Sequence, residues 1–282
     1  MACSPVVPEW ERTVHCIGDL HAGAITDTRL NAVRRDVERL GTPALHLQIG
    51  DATEGGTGEQ DALALSFLER LPGPWVTALG NHDILRNERT AAAWARAYGQ
   101  RSHNYSVDLD FARVIVVAPG RTEPGRRAGR LSDRTLAFLE QQLEEGPGDC
   151  WIACHFPLFR TVMGDPRRHF TSAMAAFYAK PDARIRDLLA RHPNAKLWLS
   201  GHTHSPLSAP GFVKRARIAR GRAIVAINTS ALVGTGKRRD PRAPLCSLYL
   251  THGRDRVEIR ARDHRAGSWR NIGGRPVVEV AV

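Results

Sequence analysis

Five short polar motifs, each closing an apolar run, constrain this chain more than any other feature. They are Asp19-Leu20-His21, Gly50-Asp51, Gly80-Asn81-His82-Asp83, His155 within a Cys-His-Phe-Pro stretch, and Gly201-His202-Thr203-His204. The runs before them read as strands over 13–18, 44–49, 75–79, 150–155 and 196–200. Helical patterns fill the first intervals, over 29–40, 61–71 and 89–98; Leu30, Val33, Val37 and Leu40 recur at helical spacing and Gly41 supplies a stop. Strand–helix–strand order implies right-handed crossovers and neighbouring strands whose C-terminal ends share one rim. Ligands of open α/β sheets bind beyond those ends, so residues far apart in sequence are expected to converge there.

The remaining segments point to a second sheet. Residues 104–109 and 113–117 read as a hairpin across Asp110, 121–130 as a Gly/Pro/Arg loop, and 132–145 as a helix capped by Ser132. A helix over 183–191 and short β runs over 223–228, 245–250 and 256–261 follow. The expected fold is α/β, a four-layer α/β/β/α sandwich with two packed mixed sheets. Residues 1–12 are expected to form a tail and 13–282 one domain, with the motifs over 19–204 and second-sheet strands and a basic region over 205–282. No internal repeat and no domain-separating linker interrupts the pattern.

Bulk properties exclude several classes. No apolar run approaches the ~20 residues needed to span a membrane, and the N-terminus has neither a basic nor an apolar leader segment, so a cytoplasmic protein without a membrane partner is expected. Five scattered cysteines do not form a disulfide framework; Cys16, Cys150 and Cys154 sit in apolar runs and read as small buried hydrophobes. The net charge of +11 is uneven: residues 1–150 carry 16 basic and 21 acidic side chains, and 151–282 carry 24 and 8, giving −5 and +16. Such asymmetry marks either a solvated arginine-rich face or an anion-facing surface.

Every side chain in the five motifs that could bind a metal is Asp, Asn or His. This donor set suits borderline-hard divalent ions that handle phosphate oxygens, not a thiolate-held zinc. Asp19 and His21 are two apart, as are His202 and His204, so each pair can face one ion along an extended segment. The Asp51 carboxylate can bridge two cations. Taken singly, each motif has an ordinary reading as a turn, a cap or a core histidine; five together do not.

The order and composition of the motifs resemble the calcineurin-like metallophosphoesterases, whose pattern runs D-x-H, GD, GNH[ED], H, GHxH. The resemblance spans Asp19 to His204 and implies a two-metal hydrolase of phosphate esters, with the fold expected above. It implies one metal held by Asp19, His21, Asp51 and His204 and a second held by Asp51, Asn81, His155 and His202. The metals would be Mn²⁺, Fe²⁺/Fe³⁺ or Zn²⁺, and a hydroxide held between them would attack phosphorus in line. His82 corresponds to the family's catalytic histidine, on the phosphate or the leaving oxygen, and Asp83 would orient its ring.

A small phosphorylated molecule, most readily a phosphodiester such as a cyclic nucleotide, is the expected substrate. The Asp-x-Gly usual after the GD motif of the cyclic-AMP hydrolases appears only loosely, as Glu54-Gly-Gly. Glu54 and Glu59 are read as solvated loop residues, with lining of the pocket as the alternative, and 159–181 as a cap over the site. Arg86 is a candidate phosphate contact; Lys237, Arg238 and Arg239 are expected at the pocket mouth, steering anions inward. Asn228-Thr-Ser resembles a segment near the metal rim, and His15, His46, His103 and His169 have no motif context. Two alternatives remain. A nuclease would use the basic half to bind nucleic acid, which the low aromatic content of 6% disfavours. A non-catalytic scaffold, like ligand-depleted retromer-subunit relatives, is disfavoured by an intact His82. The oligomeric state is left open.

Overall fold

The computed structural model describes residues 9–85, 89–120, 128–240 and 242–282. Two sheets face one another, with helices on both outer surfaces. The first has β1 (Thr13–Ile17), β2 (Leu45–Gln48) and β3 (Trp75–Thr77) in parallel. It continues on the other side of β1 through antiparallel β10 (Cys246–His252), β11 (Arg256–Asp263) and β12 (Ser268–Arg270), with β13 (Val278–Ala281) also on β11. The second runs β4 (Tyr105–Leu109), β5 (Ala112–Val116), β6 (Cys150–Ala153), β7 (Ala195–Ser200), β9 (Arg222–Asn228), β8 (Val213–Ala219). Its four middle strands are parallel and its two edges antiparallel.

Alternation along the strands builds three apolar layers. Val14, Cys16, Leu45 and Leu47 of the first sheet meet Val114, Trp151, Leu197 and Leu199 of the second in the central core. Ile17 lies in the layer with Val33 and Val37 of α1 (Asp27–Leu40), Phe67 of α2 (Gly58–Leu68) and Trp94 of α4 (Ala91–Ala97). Ile115, Ile152 and Trp198 pack with Leu139 of α5 (Asp133–Glu145) and Ile185 and Leu189 of α6 (Asp182–Arg191). The α/β/β/α order expected from the sequence is the order observed. Cys16, Cys150, Cys154 and Cys246 are buried free thiols.

Helix ends follow their caps. Ser132 accepts from the Thr135 amide, as expected, whereas Thr57 caps α2 and starts it at Gly58 instead of at 61. The short α3 (His82–Leu85), β8, β12 and β13 were not expected from the sequence. The 121–130 loop lies mostly outside the described residues. Residues 10–12 are no loose tail: they form a 3-10 turn whose Trp10 meets Tyr249 edge-on, while Arg12 donates to the His252 carbonyl. Asp36 fastens α1 to the first sheet, accepting both Arg262 donors at 2.7 and 2.8 Å and His264 Nδ1 at 2.9 Å. Burial alone would raise the Asp36 pKa, but these donors hold it well below the carboxylate range. No helix among the described residues is long and apolar enough to cross a membrane.

Candidate metal centre

The strand ends bring the motifs together. Asp19 and His21 follow β1, Asp51 follows β2, Asn81 and His82 follow β3, His155 follows β6, and His202 and His204 follow β7. The donor atoms of Asp19, His21 and His204 form one group within 4.8 Å of one another, and those of Asp51, His155 and His202 form another. His21, Asp51 and His82 make a third group that joins the two. Asp51 Oδ2 lies 3.2 Å from His155 Nε2 and 3.6 Å from His21 Nε2, between the two sets. His204 Nε2 is 3.3 Å from Asp19 Oδ1.

Backbone shape drives this convergence. Seven described non-glycine residues have positive φ; five are Asp19, His21, Asp51, His202 and His204, and a sixth is Arg239. Such conformations cost energy for L-residues and persist where the surroundings over-determine them, commonly at functional sites. Two motif glycines allow the close approach. A Cβ on Gly80 would overlap the Asp51 amide and Oδ1, and one on Gly201 would meet Asp19 Oδ2.

Hydrogen bonds select the tautomers of three histidines. His21 Nδ1 donates to Glu54 Oε2 at 2.8 Å, His155 Nδ1 to the Ile49 carbonyl at 2.9 Å, and His202 Nε2 to the Ala176 carbonyl at 3.1 Å. For His21 and His202 the outward proton leaves the inner nitrogen with a lone pair aimed at the cluster. There the inner nitrogens face each other: His21 Nε2 is 3.2 Å from His204 Nε2, and His155 Nε2 is 3.2 Å from His202 Nδ1. Asn81 Oδ1 is buried without a hydrogen-bond partner among the described residues. Lone pairs crowded together, an orphaned amide oxygen and the buried Asp19 and Asp51 carboxylates call for cations. The residues fit a pair of divalent ions.

The charges titrate accordingly. Burial lowers the His21 pKa to about 4 and, with nearby His155, the His202 pKa to about 3. Burial opposes the charge of His155 as well, yet the Asp51 carboxylate raises it to about 9. Burial would raise Asp51, and its histidine neighbours instead draw it well down. Neutral His21 and His202 beside ionised carboxylates are in ligand form.

The structure corrects the expected role of Asp83. Its carboxylate does not meet the His82 ring; it accepts from Thr53 N and Oγ1 at 2.8 and 2.9 Å and from Gly80 N at 2.8 Å. Burial and the nearby Asp51 charge raise it to about 6. Asp83 therefore braces the two loops that carry Asp51 and Asn81. His82 Nδ1 is instead 2.9 Å from the Glu54 carbonyl, while the His82 amide donates to Asp51 Oδ1 at 2.8 Å. Glu54 is also not the solvated residue expected from the sequence: besides His21 it accepts from Arg239 Nη1 at 2.6 Å. Those partners overcome burial and pull its pKa to about 2. Its position three residues past Asp51 in a glycine-rich turn was the available signal. Glu59, by contrast, is exposed.

Of the expected substrate contacts, Arg86 lies outside the described residues. Arg239 reaches the centre, with Nη2 3.4 Å from His21 Nδ1. Lys237 and Arg238 line a cavity beside it together with Arg167, Arg168 and His169. Segment 159–181 does pack against the site, since Phe177 stacks on His202 at 4.7 Å. Asn228 and Thr229 are buried below the rim, bonded to Thr203 and Ser200.

The profile of the calcineurin-like phosphoesterase family matches residues 12–206. The chain belongs to this family. It is 27% identical, over 64% of its length and 66% of the relative's, to a probable cyclic nucleotide phosphodiesterase of Synechococcus sp.. It is 29% identical to a probable glycerophosphodiester phosphodiesterase of Arcobacter nitrofigilis over 37% of this chain and 38% of that one. The chain thus spans just under two-thirds of one of these relatives and about two-fifths of the other. The crystal structure of a dimetal phosphatase from Danio rerio superposes with a TM-score of 0.62 at 13% identity, covering 89% of this chain and 96% of that one. That likeness concerns the fold.

Proposed function

We propose that the protein hydrolyses small phosphodiesters at two divalent ions, one held by Asp19, His21, Asp51 and His204 and the other by Asp51, Asn81, His155 and His202. The observation that carries this reading is the convergence of two donor groups, Asp19, His21 and His204 and then Asp51, His155 and His202, each with its donor atoms within 4.8 Å, with His21 and His202 holding their ring protons outward. Mixed carboxylate, amide and imidazole ligation favours Mn²⁺, iron or Zn²⁺ over Ca²⁺ or Mg²⁺. When bound, such ions polarise phosphate oxygens and acidify water.

The chain's own groups supply orientation and proton transfer. Asp51, shared by the two sets, fixes their spacing. His82, with 20% of its side chain exposed, is open to a bound ester. Its Nδ1 donates to the Glu54 carbonyl, which leaves Nε2 as the nitrogen that passes a proton to the leaving oxygen. Arg239, fixed by Glu54, offers positive charge to the phosphate beside His21. Phosphodiesters are favoured over monoesters because both curated relatives bear diesterase names.

The test is hydrolysis of bis(p-nitrophenyl) phosphate, p-nitrophenyl phosphate, cyclic nucleotides and single-stranded DNA after chelation and reconstitution with each metal. Diester cleavage restored by Mn²⁺, Fe²⁺ or Zn²⁺, with two metal equivalents per chain, is expected. Full activity after exhaustive chelation would refute the reading, and processive DNA cleavage would replace it with a nuclease.

A further inference from the structure

The turn that supplies Arg239 to the metal centre presents its other cations elsewhere. Arg167, Arg168, His169, Lys237 and Arg238, with Thr235, Gly236 and Asp240, line a cavity of about 580 Å³. That volume lies in the range that holds small ligands. Four permanent cations there face one carboxylate, Asp240, whose Oδ1 already accepts from the Arg242 amide. Among the described residues the guanidinium groups of Arg167, Arg168 and Arg238 form no ion pair, although the chain pairs arginines with carboxylates in many other places. His169 adds a buried Nδ1 without a hydrogen-bond partner.

The lining is held in place and tied to the metal centre. Lys237 N donates to the Arg168 carbonyl at 2.9 Å, which joins the two walls. Lys237 Nζ donates to the Pro166 carbonyl at 2.7 Å and sits 5.6 Å from the Phe170 ring centre. Arg167 N donates to Asp165 Oδ1 at 2.9 Å. Gly236 N donates at 2.7 Å to the carbonyl of His204, and Arg239, three residues on, reaches Glu54 and His21. One short turn thus borders both the centre and the cavity.

We infer that this cavity is a second anion subsite, which takes a phosphate of the substrate other than the one cleaved. The inference rests on the phosphodiesterase reading above and narrows it: the preferred substrates are phosphodiesters or pyrophosphates that carry a further terminal phosphate. A simple cyclic nucleotide has only one phosphate and leaves the subsite unused. Clustered, unpaired guanidinium groups are suited to a dianionic phosphate monoester, whose oxygens accept two donors at once.

Two chromogenic diesters test this: thymidine 5′-(p-nitrophenyl phosphate) and its 3′-phosphorylated counterpart. In the metal-loaded protein the 3′-phosphate should raise kcat/KM about 10-fold or more, the scale of one or two charge-assisted hydrogen bonds. In the Arg167→Gln/Arg168→Gln variant, both exposed positions, the advantage should vanish while the singly phosphorylated diester is cleaved as before. An equal kcat/KM for both diesters in the unaltered protein, or an advantage that survives in the variant, would overturn the subsite. Millimolar inorganic phosphate that alters cleavage of the singly phosphorylated diester only when the arginines are present would assign the cavity to a free anion and overturn the substrate version. Calorimetric titration with pyrophosphate gives a readout separate from turnover. Weaker binding to the variant supports the subsite even if neither diester is cleaved, in which case the phosphodiesterase reading alone fails; equal binding counts against the subsite.

Discussion

Glu54 offers the sharpest test of how the centre is built. Its carboxylate holds His21 Nδ1–H at 2.8 Å and Arg239 at 2.6 Å, so it sets the tautomer that frees His21 Nε2. Glu54→Leu removes both contacts. His21 can then place its proton on Nε2, facing Asp51 and His204, and must pay to move it before binding a cation. Loss of such an outer partner weakens metal binding by about 10- to 100-fold, roughly 1.4–2.8 kcal/mol. Glu54→Gln separates the two functions: its amide oxygen still accepts from His21 Nδ1, but the negative charge opposite Arg239 is gone. The leucine variant should therefore lose metal affinity, and the glutamine variant should retain most of it. Competition against a chromogenic chelator reads both. Unchanged affinity in the leucine variant, or equal losses in the two, would refute tautomer selection by Glu54.

His82→Ala should keep both metal equivalents by elemental analysis while kcat falls by about 10² or more, the usual share of a general acid. Gly80→Ala should force the Asp51 loop to shift, lowering stability by about 1–3 kcal/mol in denaturant titrations as overpacked sites do. Stripping the metals should lower Tm by roughly 10 °C if they are held about a thousandfold above their dissociation constants; an unchanged melting curve would mean that no ion binds the folded chain. Away from the centre, burial lowers the His46 pKa to about 4, below its value near 6.5 in an unfolded chain, while its Nε2 hydrogen-bonds the Pro72 carbonyl. The neutral ring is therefore favoured in the fold. Its contribution is complete above pH 6.5 and is lost as pH falls, by about 2 kcal/mol at pH 5. His46→Gln should flatten the stability-versus-pH curve between pH 6.5 and 5, and an identical slope would sink the assignment.

The layering of this fold was legible because both periodicities are clean. Leu30, Val33 and Val37 mark one face of α1, and the short apolar runs of β1, β2, β6 and β7 are too brief for helices. Strand β8 was missed for a physical reason. It lies at a sheet edge, and its Lys214, Arg215 and Arg217 break the apolar signal because an edge strand leaves them in solvent. Helix α3 is a single turn opened by a motif residue, so no periodicity could announce it.

Identity and position of the motif residues were legible for a related reason. A side chain placed immediately beyond a parallel strand has its location fixed by the sheet, whatever the connection does. Partners supplied by loops have no such constraint. Glu54 and Arg239 are 185 positions apart and meet only because two loops turn toward the same histidine. The Asp83 carboxylate was assigned to its sequence neighbour His82, yet its residue opens a helical turn that aims it at Thr53 and Gly80. Adjacent side chains on a turn diverge, so sequence proximity argued for the wrong partner. The positive φ angles of Asp19, His21, Asp51, His202 and His204 follow the same logic. Left-handed backbone at a non-glycine residue is disfavoured locally and must be held by tertiary contacts, here the bonds from His202 N to Asp19 and from His82 N to Asp51. The loops after β3 and β7 are thus each locked by the carboxylate of another loop, and the centre forms only when β1, β2, β3 and β7 are all in register.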